Sequence, residues 1–166
     1  MGLLTGQKML DLSRLLPGPY ASLLLADLGM EVLKIEDLDM GDYMRKMGPA
    51  RKEDSVYFLA VNRNKKSMTL NLKVKEGKEI FFKLIDTYDV ILESFRPGVM
   101  DRLDIGYEEL KKRNPRIILC SLSGYGQDGP NHEKSGHDIN YMGVGGVLDL
   151  IGEKDRTPVI PGVQMA

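Results

Sequence analysis

An open α/β sheet of Rossmann-like type, mostly parallel and flanked by helices, is the fold class this 166-residue sequence predicts. Short apolar runs alternate repeatedly with helical patterns, the order that builds right-handed parallel crossovers. The runs KMLDLS and EVLKIE are short, as buried strands are, and a proline-glycine break separates the first from the helix that follows. Hydrophobic residues make up 42% and charged residues 28% of the chain, which suits one globular domain over residues 1–166 with a real core.

KMLDLS (8–13) is the first expected strand, and LLPGPY (15–20) ends it. Pro19 fits the first turn of the helix PYASLLLADLG, where a missing N–H costs nothing. Leu23, Leu24, Asp27 and Leu28 are spaced by turns, and Gly29 stops the helix. EVLKIE (31–36) is the second strand and residues 37–54 a polar loop. SVYFLAVN (55–62) reads as a short helix, NRNKKS (62–67) as a basic turn, and MTLNL (68–72) as a strand. KEGKEIFFKLIDTY (75–88) places Ile80, Leu84 and Tyr88 on one face of an amphipathic helix. DVILESF (89–95) is a strand, RPGVMDRL and YEELKKRN are short helices, and RIILCSLSG (116–124) is the last clear strand. From His137 to about Ile151 a helix is expected. Gly143, Gly145 and Gly146 weaken it by ~1 kcal/mol each and are expected to let it press against another backbone. In such sheets ligands bind beyond the carboxyl ends of the strands, so loops 14–19, 37–54, 62–67, 93–98 and 123–137 hold the candidate residues.

Several function classes are excluded at this level. A net charge of −1 gives no case for a nucleic-acid partner. No apolar run approaches the roughly 20 residues of a membrane span, and no stretch has the form of a signal peptide. A cytoplasmic protein is expected. The single cysteine, Cys120, fits a reducing compartment and is expected as a buried thiol inside RIILCSL. Glu36 ends the second strand where a ribose-binding acid stands in dinucleotide folds, but SRLLPGPYAS is not the G-x-G-x-x-G turn such folds need. A phosphate loop of the G-x-x-x-x-G-K type is absent, as is a cysteine–histidine cluster with metal spacing, so no metal is expected.

Two sets of residues remain. NRNKKS packs three cations and two asparagines into a turn, either a solvated basic loop or, with Arg96 and Arg102, a clamp for phosphate groups. His137 and Asp138 follow a long glycine-rich loop. His137 is either a proton carrier or a neighbour of an Asp138 that caps a helix.

Taken together, LDLSRLLPGPYASLLLADLGMEVLKIE, GDYMR, FLAVNRNKKSMTLNLK, DVILESFRPGVMDRLDIGYEELKKRNPRIILCSLSGYGQDGP and GHDINY resemble the N-terminal part of the family III CoA-transferases, which also include the α-methylacyl-CoA racemases. The resemblance runs from about residue 6 to the end. It implies an incomplete Rossmann-like large domain that binds coenzyme A, with acyl-CoA as substrate. It places CoA contacts at Leu15 and Leu16, at Asn62, Asn64 and Lys65, and at Phe95, Arg96 and Arg102. Some members carry arginine just after the second strand; Asp37 and Leu38 stand there in this chain.

GHDINY resembles the racemase branch, in which the histidine is one of two bases at the α-carbon of an acyl thioester; transferases usually have Phe or Tyr at the place of His137. An aspartate, the second base in racemases and the acyl-carrying nucleophile in transferases, is expected just after Ala166. Family members are more than twice this length, with a second domain and a C-terminal return into the first, and form interlocked dimers. The chain is therefore expected to be a fragment or half that is inactive alone, working with a homodimeric or complementary C-terminal chain. The leading expectation is racemase-like 1,1-proton transfer with His137 as a base. The alternatives are CoA transfer between carboxylic acids through an aspartyl intermediate, and a non-catalytic CoA- or partner-binding fragment.

Overall fold

A computed structural model of the chain describes residues 2–51 and 53–165. Its strands are β1 (Lys8–Asp11), β2 (Glu31–Glu36), β3 (Ala50–Arg51), β4 (Asp54–Ser55), β5 (Lys65–Thr69), β6 (Val90–Glu93) and β7 (Ile118–Ser121). The helices are α1 (Pro17–Asp27), α2 (Val56–Asn62), α3 (Lys75–Ile85), α4 (Val99–Arg102), α5 (Tyr107–Arg113) and α6 (Asp138–Val144). Five strands form one parallel sheet in the order β5-β2-β1-β6-β7, and β3 pairs with β4 in a small antiparallel ribbon. The α/β class expected from the alternating pattern is the one observed. No helix among the described residues is long and apolar enough to cross a membrane.

The described residues form two compact units, one ending at Leu122 and one beginning at Ser123. In the first, strand alternation sends successive side chains to opposite faces. Leu10, Ile35 and Ile91 join Phe81 and Ile85 of α3 and Leu110 of α5 on one face. Met9, Val32 and Leu92 pack with Ala26 of α1 on the other.

Four local expectations are corrected. β5 begins at Lys65, three residues before the expected strand, because it is an edge strand whose residues Lys66, Ser67 and Thr69 are polar and exposed. Such charges protect an edge and hide its strand character from a hydrophobic pattern. α3 ends at Ile85 and buries Gly77, Phe81 and Ile85, while Ile80 is 40% exposed; of the expected face, Leu84 packs against the core and Tyr88, just past the helix, is buried in it. Cys120 is exposed, as is Ile118, because both lie on the same side of the edge strand β7. In the second unit the helix ends at Val144, and a 3-10 turn follows at Val147–Leu150 after Gly146 turns left-handed (φ 75°). A Cβ on Gly143 or Gly146 would meet nothing within 4 Å among the described residues, so neither glycine seats the helix on a backbone.

Candidate functional site

The alternation that buries Met9 and Val32 also points Asp11 and Lys34 toward α1, since Met9 pairs with Val32 and Asp11 with Lys34. Both are fully buried, at 0% and 1% exposure. A buried charge needs partners. Asp11 Oδ1 accepts from the Ser13 amide at 2.9 Å and from the Ser13 hydroxyl. Its Oδ2 accepts from Ser22 Oγ and from Lys65 Nζ, the latter at 3.3 Å. Lys65 Nζ also donates to the Pro19 carbonyl at 2.8 Å and to Asn62 Oδ1 at 2.9 Å. Burial pulls the Lys65 ammonium down to about 8, opposed by the charge of Asp11.

A second cluster closes the loop after β2. Glu36 accepts from Arg45 Nε and Nη2, both at 2.7 Å, from the Asp42 amide at 3.0 Å and from Ser67 Oγ. Burial alone would push its pKa up, but these donors outweigh it and hold the carboxyl at about 2. The Arg45 guanidinium lies 3.8 Å from the Phe58 ring centroid. Glu36 is thus occupied within the chain.

The loops after β1, β2 and β6 meet at the carboxyl end of the sheet. Leu15 has a left-handed backbone (φ 63°), and its amide donates to Asp42 Oδ1 at 3.1 Å. Leu16 is the N-cap residue of α1 and is exposed. The Phe95 amide donates to Glu93 Oε2 at 2.6 Å; burial pushes the Glu93 carboxyl above its ordinary pKa. Between these loops lies Arg14, which the sequence reading left unassigned. Its guanidinium donates to the Tyr43 hydroxyl at 2.9 Å and sits 5.1 Å from the Tyr43 ring and 6.0 Å from the Phe95 ring. The only sequence signal for it is an arginine immediately beyond the end of the first strand.

Arg96 and Arg102 are both exposed, Arg96 in the turn before α4 and Arg102 at the last position of α4. Leu15 and Phe95 are therefore gathered around Arg14. Asn62 and Lys65 bind each other, with the Lys65 ammonium turned inward at 2% side-chain exposure. The turn before β5 lies at the amino end of that parallel strand, where Arg63 and Asn64 both bind Asp27 at the end of α1. Asn64 is thus held away from the carboxyl-end loops where the basic turn was expected.

In the second unit His137, not Asp138, is the N-cap residue of α6, and its imidazole is exposed. Asn140 Oδ1 accepts from the His137 amide at 2.9 Å. Asp138 is the first helical residue and accepts from the Met165 amide at 2.6 Å. Tyr141 anchors the approach: its hydroxyl donates to the Gly136 carbonyl at 2.8 Å, and its ring meets Tyr125 edge-on at 5.3 Å. A Cβ on Gly124 or Gly136 would strike the Tyr141 ring, so both positions need glycine.

A parallel sheet in this strand order, with a polar turn after β1 and cationic and aromatic side chains at its carboxyl ends, is an α/β fold of the doubly wound kind, in which ligands bind beyond the carboxyl ends of the strands. The chain belongs to CoA-transferase family III, whose description matches residues 4–166. It is 44% identical over 171 residues to an acyl-CoA transferase of Fusarium pseudograminearum, covering 98% of this chain and 38% of that protein. It is 42% identical over 163 residues to the succinyl-CoA:glutarate CoA-transferase of Homo sapiens, covering 98% and 37%. The crystal structure of a CAIB/BAIF family protein from Brucella suis superposes with a TM-score of 0.91 at 39% identity, over 98% of this chain and 44% of that one. The chain thus spans about two fifths of the length of the curated relatives it matches. The relatives' names favour the transferase alternative over the proton-transfer reading that GHDINY suggested.

Proposed function

We propose that this chain is the CoA-binding part of an enzyme that moves CoA from an acyl-CoA donor to a carboxylic acid. The observation that supports this best is identity above 40% across nearly the whole chain to proteins named CoA-transferases. In this reading the Leu15–Leu16 turn, Phe95, Arg96 and Arg102 face the coenzyme. The exposed arginines supply charge-assisted bonds to its phosphates. Arg14 adds a cation at the same mouth. Lys65 and Asn62 act from beneath by fixing α1, and Asn64 serves the structure. CoA is a substrate group here, and no metal enters the chemistry as proposed.

The carboxylate nucleophile that the resemblance implies falls beyond Ala166. It attacks the thioester carbonyl, forming a mixed anhydride and releasing the CoA thiolate. The thiolate then attacks the enzyme carbonyl, giving an enzyme thioester and the free acid. The acceptor acid runs the same steps in reverse. In this reading residues outside this sequence, of the same polypeptide or of a second one, complete the site.

The test uses the longest natural polypeptide that contains this chain. Mixed with an acyl-CoA and a second carboxylic acid in deuterated water, it should form the new acyl-CoA without α-deuterium. Arg96→Ala should raise the KM for acyl-CoA by roughly 1–3 kcal/mol in binding terms. His137→Tyr, which introduces a residue usual in transferases, should keep the exchange. Wash-in of α-deuterium that His137→Ala abolishes would restore the racemase reading, and no exchange of either kind would overturn both.

A further inference from the structure

We propose that Lys34 and Asp42 are positioning residues: a buried ion pair that holds the turn after β1 in the shape that receives the ligand. The proposal rests on the CoA-binding reading above. Three backbone polar groups of that turn are held by side chains from β2 and from the loops after β2 and β6, not by backbone. The Ser13 carbonyl accepts from Lys34 Nζ at 2.8 Å. The Arg14 amide donates to Ser94 Oγ at 3.0 Å. The Leu15 amide donates to Asp42 Oδ1 at 3.1 Å.

Lys34 Nζ and Asp42 Oδ2 are 2.9 Å apart, with side chains 2% and 0% exposed. Asp42 Oδ2 nevertheless accepts no hydrogen bond among the described residues, so charge and not alignment joins the pair. The pair thus grips the turn on both sides of Arg14, from the carbonyl before it to the amide after it. Leu15, whose amide takes the second grip, is left-handed at φ 63°, a conformation a leucine does not adopt unaided. Asp42 Oδ1 also accepts from the Met44 amide at 3.0 Å, which ties the turn to the segment that carries Tyr43. Arg14 and Tyr43 are therefore brought together by the same carboxylate.

Burying a lysine and an aspartate under a turn is poor economy for stability alone, because apolar residues of similar volume often serve as well. Its use lies in geometry: side chains from three places over-determine one short segment before any ligand arrives.

The experiment measures CoA affinity by calorimetry, together with the thermal midpoint, in the longest natural polypeptide containing the chain. Lys34→Met/Asp42→Ala removes both charges together, so no orphan charge remains to unfold the domain. It should keep a midpoint near that of the parent while CoA binds about tenfold more weakly. Lys34→Met/Asp42→Asn restores an oxygen for the Leu15 amide and should recover most of the lost affinity at the same midpoint. Parental affinity in the Met/Ala variant, or equal losses in both doubles, overturns the positioning role. Arg96→Ala serves as the reference. If it weakens binding while the doubles do not, only the positioning role falls. If neither it nor the doubles alter binding, or if the parent binds no CoA, the CoA reading falls and the positioning role with it.

Discussion

Glu36 stands at the end of β2, where a ribose-binding acid would stand in a dinucleotide fold, yet Arg45, Ser67 and the Asp42 amide take both of its oxygens. Its carboxyl is held at about 2 against an ordinary 4.5. A depressed carboxyl stabilises the fold fully above the unfolded value and loses that contribution as the pH falls from about 4.5 toward 2. At neutral pH the shift is worth up to about 3 kcal/mol. Glu36→Gln should lower the unfolding free energy by a comparable amount at pH 7 and flatten its decline between pH 5 and pH 3. Urea unfolding at those pH values checks it; parallel pH slopes in the two proteins would show that Glu36 is not the group. The residue was legible as a strand-end acid. Its partner Arg45 lies nine positions away around a loop, and nothing in the spacing announces the pair.

Lys65 shows the same limit for a whole element. NRNKKS is plainly basic, and its lysine was expected to face a phosphate. The structure begins β5 at Lys65 and sends its ammonium under α1, where one group joins β1 through Asp11, α1 through the Pro19 carbonyl and α2 through Asn62. Lys65→Met should leave Asp11 buried without its cation and lower stability by about 3–5 kcal/mol. Much of that should return in Lys65→Met/Asp11→Asn. A thermal midpoint of Lys65→Met equal to the parent's would mean that the network is ornamental to the fold. α3 repeats the lesson in apolar form: its periodicity was legible and Leu84 and Tyr88 do meet the core, but the fully buried helical positions are Phe81 and Ile85, and Ile80 is left exposed. Adjacent apolar residues leave both phases open until the sheet selects one.

For the whole molecule, apolar side chains that the first unit leaves uncovered matter most. Leu16, Tyr20, Leu24 and Leu28 recur every four residues from the N-cap of α1 to its C-cap, and all are exposed. Before Asp27 the helix carries no charge. Exposed apolar stretches of this kind favour association. The isolated chain should therefore sediment as a dimer or larger species at micromolar concentration, and Leu24→Lys should shift it toward monomer; a clean monomer of the parent chain would contradict this. What the sequence determined by itself was the alternation of strands and helices, hence a parallel sheet with its working loops at the carboxyl ends, and the resemblance that led to the family. Those properties reside in local pattern, which is written along the chain. Only the tertiary structure decided that Asp11, Lys34, Asp42 and Lys65 are buried together and that Cys120 lies open on an edge. Both depend on which strands are neighbours and in what register: Asp11 opposes Lys34 only once β1 pairs with β2, and Cys120 is exposed because β7 ends the sheet.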